Sequence, residues 1–182
     1  MADSAEQGSH EWTVDPSHSS IDFSVRHMGI FTVRGSLGKL NGTGKTEGAK
    51  LVSATLSIDA TAIDTNNADR DAHIKTAEFL NVEAFPSITF VSTSIASSSD
   101  SEYTIVGDLT IAGKTHSVTV EAEAVLPITD PWGAVRAGVT GKGVLKRSDW
   151  GMTWNSVMET GHVMISDEIK FTFDVQATVP KS

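Results

Sequence analysis

Histidine and carboxylate side chains are the first places to look for chemistry in this chain. Six histidines stand at 10, 18, 27, 73, 116 and 162. Neutral imidazole is a common metal ligand. No pair of these has the spacing of a helical zinc motif, and there is no cysteine to supply a thiolate. They therefore read as hydrogen-bonding residues of a core or rim. Asp15, His18 and Ser19 or Ser20 include the residue types of a nucleophilic triad. No Gly-x-Ser-x-Gly elbow frames any serine, however, and Asp15-Pro16-Ser17-His18 reads better as a turn whose carboxylate bonds its own backbone. Asp71 with His73, or Asp64 with Arg70, could do acid–base work; the competing reading is a helix cap with surface ion pairs. Gly138-x-x-Gly141-x-Gly143 falls within a strand pattern and so lacks the strand–turn–helix context of a phosphate loop.

Any such group must be positioned by strands, because the dominant period of the sequence is two. In 19–27, Ile21, Phe23, Val25 and His27 share one face, and Asp22, Ser24 and Arg26 the other. Val52, Ala54, Leu56 and Ile58 form a second stripe, Ile88 and Phe90 a third, and Tyr103, Ile105, Leu109 and Ile111 a fourth. The cleanest run places His116, Val118, Val120, Ala122, Ala124, Leu126 and Ile128 on one face. Val135, Ala137, Val139 and Leu145 follow, and then Ile169, Phe171, Phe173, Val175, Ala177 and Val179. Such alternation marks half-buried strands with one wet face.

Turn chemistry separates the runs at Asn41-Gly42, within 44–50, within 97–100, at Ala112-Gly113-Lys114 and at Asp130-Pro131-Trp132-Gly133. Only 62–82 breaks the period, and it reads as a short helix near 66–74 with a second turn near 77–81. Long strands joined by hairpins and apolar on one face predict an all-β sandwich or closed barrel, with the helical segment as lid or plug.

The barrel interior is a better candidate site than any catalytic pairing. Ala122, Ala124, Ala137, Gly141 and Gly143 lie on inward-reading faces, and small side chains there leave volume open for a ligand. The alternative is a lumen filled by Phe23, Phe90, Phe171 and Phe173. Periodicity does not choose between them.

The chain of 182 residues fits one domain, read as 11–179 behind a polar tail at 1–10. A hydrophobic share of 39% supports a core, and a net charge of −9 argues against nucleic acid or anionic surfaces as broad partners. Lys142, Lys146 and Arg147 form the one basic cluster, read as a solvated strand end. Without cysteine there is no disulfide or thiolate metal site, and no metal is expected. The first ten residues lack a basic start and an apolar stretch, which points to the cytoplasm unless a signal has been removed, and no run reaches transmembrane length.

Four stretches taken together carry a resemblance. The first is Trp12-Thr13-Val14-Asp15-Pro16-Ser17-His18-Ser19 with Phe23-Ser24-Val25-Arg26-His27-Met28-Gly29 and Val33-Arg34-Gly35. The second is Asn67-x-x-Arg70-Asp71-x-His73-Ile74 with Glu78-Phe79-Leu80-Asn81-Val82 and Phe85-Pro86-Ser87-Ile88-Thr89-Phe90. The third is Val106-Gly107-Asp108-Leu109-Thr110-Ile111-Ala112-Gly113, and the fourth Lys146-Arg147-Ser148-Asp149-Trp150-Gly151-Met152-Thr153-Trp154-Asn155. In this order the set resembles the YceI-like family over roughly residues 11–178.

The resemblance implies an extended, lipocalin-like antiparallel barrel of about eight strands. It implies a long amphiphile bound along the axis, typically a polyisoprenoid such as a prenyl quinone or isoprenyl phosphate, no catalysis, and no cofactor beyond that lipid. Many family members are periplasmic and carry a signal peptide. Dimerisation stays open. The expected ligand contacts are Phe23, Val25, Phe79, Phe90, Ala122, Ala137 and Phe171 along the tail. His27, Arg70 and His73 are expected at the head group, with Asp15 and His18 bracing the same end. Trp132, Trp154 and Met158, grouped with Trp150 and Met152, are expected to line another part of the tunnel. Rival readings are an enzyme that modifies an isoprenoid or fatty acid, using Asp71 and His73, and an interaction module with a filled barrel.

Overall fold

Period-two alternation becomes strand throughout the computed structural model, which describes residues 8–179. The strands are β1 Ser9–Val14, β2 Ser20–His27, β3 Phe31–Ser36, β4 Leu40–Glu47, β5 Lys50–Asp59, β6 Ser87–Ser97, β7 Glu102–Ile111, β8 Lys114–Thr129, β9 Val135–Lys146 and β10 Ile165–Thr178. The helix α1, Ala68–Ile74, lies between β5 and β6. Ser9 and His10, expected in a tail, belong to β1 and pair with Glu47 and Thr46; residues 1–7 lie outside the described chain.

Neighbouring strands in the order β1-β4-β5-β6-β7-β8-β9-β10 are antiparallel, and a short β1–β10 pairing closes the circuit into an eight-stranded barrel. Closure leaves these strands no free edge. Thr13 and Val14 of β1 meet Thr178 and Ala177 of β10, the 3-10 turn Pro16–His18 follows, and β2 then continues along β10. β2 and β3 form a hairpin that extends the wall beside β10 as far as His27 opposite Ile165.

Most of the expected stripes face the core. Tyr103, Ile105, Leu109 and Ile111 of β7 are buried, as are Val118, Val120 and Ala122 of β8. Two strands lose their phase at bulges, where one extra residue turns the following side chains to the other face. The register of β5 shifts beside Lys45 and Thr46 of β4, so Leu51 faces inward and Val52, expected inward, is exposed. The register of β8 shifts between Val125 and Ile128, around Pro127, and Ile128 points outward rather than inward. Proline inside a strand is accommodated at such a bulge.

The expected turn at Asn41-Gly42 is instead part of β4. Gly42 lies opposite Leu56, and a Cβ there would sit 2.2 Å from the carbonyl oxygen of Thr55. Glycine at this position permits close strand contact, and the chain turns later, at Gly48, where φ is +58°. Ala112 and Gly113 both have positive φ, as a two-residue type I′ hairpin requires. Asp130 makes the last expected turn by accepting the backbone N–H groups of Trp132 and Ala134.

The two ends of the barrel differ. At one end β5 leads into α1 and β6 returns, with Asp59 opposite Ser87. Asn67 caps α1 by accepting the Arg70 N–H, and an isolated Ser36–Asp64 bridge ties the segment to the β2–β3 hairpin. This is the lid end, shared by the β7–β8 turn and the start of β10. The β8–β9 turn lies at the far end.

Candidate ligand-binding cavity

The lumen is open. A cavity of about 360 Å³ runs from Arg70, His73 and Leu80 at the lid to Ala137, Gly138 and Ala177 at the far end. That volume falls within the ~300–1,000 Å³ typical of small-molecule pockets. Its wall is predominantly aliphatic and aromatic side chains from the inward face of the alternation, among them Phe23, Val25, Phe90, Val139, Phe171 and Phe173. This answers the question of a filled or hollow barrel, for a reason other than the one expected.

Gly141 and Gly143 do not leave empty space. Gly143 lies opposite Phe171, Gly141 opposite Phe173, and Gly35 opposite Phe23. A Cβ at these glycines would come within 2.4, 2.3 and 2.6 Å of the facing ring. Gly107 receives the Phe90 ring in the same way, at 2.3 Å. Each glycine is therefore a seat into which a phenylalanine ring folds flat against the wall. The two readings of the interior were not alternatives: the glycines keep the rings out of the lumen. Cross-strand aromatic cover of a strand glycine also stabilises the pair.

The polar residues of the wall are unevenly distributed. His27, Arg70, His73 and Arg147 line the lid end. Asp100, the carboxylate found among the described lining residues, sits near the far end, in the turn between β6 and β7. The lid end is thus basic and hydrogen-bond donating against an otherwise apolar tube.

Local structure sets each of these groups. Arg70 donates from Nε to Thr65 Oγ1 and from Nη2 to the Thr65 carbonyl, both at 2.7 Å. Thr65 is buried and donates in turn, from its backbone N–H and its hydroxyl, to the Asp71 carboxylate. Asp71 is therefore engaged by Thr65, and His73 pairs instead with Glu78. The acid–base pairing of Asp71 with His73 is not formed, nor is that of Asp64 with Arg70. The His73 ring packs edge-on against Trp154 and Phe79, at centroid distances of 4.7 and 5.1 Å.

Arg147, expected with Lys142 and Lys146 on a solvated strand end, lies in the site instead. It is 4% exposed. Its guanidinium donates to the carbonyls of Ser166, Met152, Trp154 and Ile165, and so gathers the 152–166 segment onto the barrel. Burial pulls its pKa below the ordinary arginine value, with Asp167 acting in the opposite sense. The signal was present: Ala137, Val139, Gly141, Gly143, Leu145 and Arg147 share one parity, and that parity is inward.

The remaining expected contacts divide. Ala137 and Met152 line the cavity. Ala122 is buried in the wall opposite Tyr103 and Gly141 but does not itself line the space. Trp154 does not line the cavity itself but packs its ring against the lining residues His73 and Phe79 and accepts from Arg147 through its carbonyl. Trp150 is buried in the core, with Nε1 donating to the Leu109 carbonyl. Met158 lies in the loop beyond Trp154, off the cavity, and Trp132 is 79% exposed on the β8–β9 turn.

Asp15 and His18 do not brace the lid. Asp15 pairs with His18 and with Arg136, which also binds Asp130, and this cluster clasps the far end. The His18 contact, then the Ser17 N–H, holds the Asp15 carboxyl below the ordinary range, and Arg136 does the same for Asp130.

A closed eight-stranded antiparallel barrel with a lidded axial cavity defines a lipocalin-like architecture. The YceI-like domain model matches residues 12–177, and the chain belongs to that family. Protein YceI of Salmonella arizonae is 38% identical over 149 residues, covering 79% of this chain and 76% of that protein. The same fold occurs in Burkholderia cenocepacia BcnA, with a TM-score of 0.77 at 23% identity over 90% of this chain and 98% of that one. A polyisoprenoid binding domain from Saccharophagus degradans superposes with a TM-score of 0.67 at 14% identity, covering 93% of this chain and 98% of its own.

Proposed function

We propose that the barrel binds a single long amphiphile of polyisoprenoid type, with its tail along the lumen and its head group at the lid end. The observation that carries this reading is the asymmetry of the cavity, an apolar tube with His27, Arg70, His73 and Arg147 at one end. The printed description of the Saccharophagus degradans domain supports the ligand class.

A polyprenyl tail has no hydrogen-bonding groups, so an apolar wall excludes water from it without leaving polar atoms unpaired. At about 0.8 kcal/mol per buried CH₂, one five-carbon unit contributes up to roughly 4 kcal/mol. Chain ordering and incomplete burial cut that sum well below its face value. The head group would meet imidazole and guanidinium donors, which suit a quinone carbonyl or a phosphate oxygen. The protein would then act as a carrier or reservoir.

The test is native mass spectrometry of the protein as purified, followed by organic extraction. An adduct that extracts into the organic phase and matches an isoprenoid mass is the expected result. A clean protein mass, with no uptake of added polyprenols, would overturn the reading.

A further inference from the structure

We propose that the tip of the β2–β3 hairpin, with the neighbouring 155–164 loop, docks the lid end of the barrel on an anionic lipid surface. The hairpin tip exposes Ile30 at 80% and Phe31 at 61%, together with Met28. The 155–164 loop stands beside it: the Met28 N–H donates to the Met164 carbonyl, and the loop is folded on itself by a Val157–Val163 bridge. Val157 and Val163 are exposed too, so the two segments present one continuous apolar rim. A contiguous apolar patch of this kind marks an interaction surface, whereas scattered single residues do not.

Two features identify the partner. The first is charge. Residues 26–34 carry Arg26 and Arg34 and no acidic residue, and the 155–164 loop adds the single carboxylate Glu159, so the two segments together are net positive within a chain of net charge −9. Arg26 also shapes the tip by donating to the Gly29 carbonyl and to Thr32 Oγ1. Basic side chains beside protruding aliphatic and aromatic ones are the pattern of an interfacial anchor on anionic lipid. The far end supplies an internal comparison. It also exposes apolar residues, Val125, Ile128 and Trp132, but residues 121–136 carry Glu121, Glu123 and Asp130 against the single cation Arg136. Acidic overall charge had argued against anionic surfaces; the hairpin tip and its neighbouring loop depart from that balance, whereas the lid segment 59–83, with six carboxylates against Arg70 and Lys75, keeps it and would be held away from the surface.

The second feature is continuity. His27 and Ile165 pair across β2 and β10, both line the cavity, and His27 is followed directly by the exposed tip. The apolar rim and the basic mouth are therefore one surface. Docked there, the mouth would face the phase in which a long-chain amphiphile resides. The choice of lipid as partner rests on the proposed lipid cavity; the charge and exposure of the rim do not.

Co-sedimentation of the full chain with vesicles tests the inference, using phosphatidylcholine alone and equal parts phosphatidylcholine and phosphatidylglycerol. Uptake of retinol, an isoprenoid alcohol whose fluorescence reports an apolar environment, is measured in parallel without vesicles. Sedimentation should require phosphatidylglycerol and weaken with added salt. Ile30→Ser with Phe31→Ser should lower partitioning by about tenfold, while Ile128→Ser at the far end leaves it unchanged. Should the double variant fold poorly, Arg34→Gln keeps the test, and it should weaken binding to the anionic vesicles alone. Retinol uptake with no sedimentation would overturn docking and leave the cavity reading standing. Sedimentation without retinol uptake would support docking and count against the cavity reading. A wild-type dimer that the double variant converts to monomer, with no vesicle binding, would make the rim a contact between two copies and overturn lipid docking.

Discussion

At the scale of single residues, the bore of this barrel depends on glycine more than on alanine. Gly143 seats the Phe171 ring, and a methyl group there would sit 2.4 Å from the ring's outer atom. Gly143→Ala should therefore tip Phe171 into the lumen. The expected outcome is a stability loss of about 1–3 kcal/mol and a larger loss of affinity for long chains than for short ones, read by thermal melting and by titration of polyprenols. Adding Phe171→Leu should restore binding of the long chains; no restoration would mean the ring is not what narrows the tube. Arg147 makes a second residue-level case. Its removal strands four backbone carbonyls that it now satisfies. Arg147→Ala should cost about 3–5 kcal/mol, as breaking a buried charged network does, and should free the 152–166 segment to hydrogen exchange. A variant that melts like the wild type would show that water replaces the guanidinium.

At the scale of elements, the two ends of the barrel are held by different chemistry and should respond differently to acid. Arg136 bridges Asp15, the residue that follows β1, to Asp130 in the β8–β9 turn. Both carboxyls titrate below their ordinary value of 3.8, through His18 and Ser17 for Asp15 and through Arg136 for Asp130. A carboxyl with a depressed folded-state pKa stabilises the fold fully above the ordinary value. That stabilisation fades as pH falls below 3.8 and through the folded-state pKa. Asp130→Asn should therefore lower the melting temperature at neutral pH and flatten its fall in acid. Parallel acid profiles for wild type and variant would show that the clasp is not what acid breaks. The lid is built instead on the Arg70–Thr65–Asp71 hydrogen bonds. Arg70→Ala should consequently loosen α1 as well as weaken head-group binding, which hydrogen exchange over 65–75 and ligand titration would separate.

At the scale of the whole molecule, a closed barrel with a finite lumen makes a prediction about length. Affinity for an isoprenoid series should rise with each unit while the tail still gains wall, then level off once the cavity of about 360 Å³ is full. Titration across chain lengths checks this, and affinity indifferent to length from the shortest member onward would count against a tail-filled lumen.

Much of this architecture was legible along the chain because a strand's period is local. Tyr103, Ile105, Leu109 and Ile111 announce their buried face by alternation alone, and Ala112-Gly113 announces its hairpin by turn chemistry. The family-like stretches placed His27, Arg70 and His73 near one another before any contact was seen, and all three do line the lid end of the cavity. Other features are settled by cross-strand register, which no local pattern contains. Register sets Phe171 against Gly143, and so turns two apparent rivals, small residues and large rings, into one open tube. A bulge at Pro127 turns Ile128 outward although its parity reads inward. Polar β4 has no apolar stripe of its own and is a strand by its pairing with β1 and β5, where Gly42 admits β5 closely. Burial of Arg147 follows from a loop distant in sequence that returns four carbonyls to it. The sequence by itself thus determined the strands, the barrel class and the types of residue available to a ligand. Tertiary structure alone decided that the barrel is hollow and that Arg147 joins its basic end, because both depend on which groups meet across segments far apart in the chain.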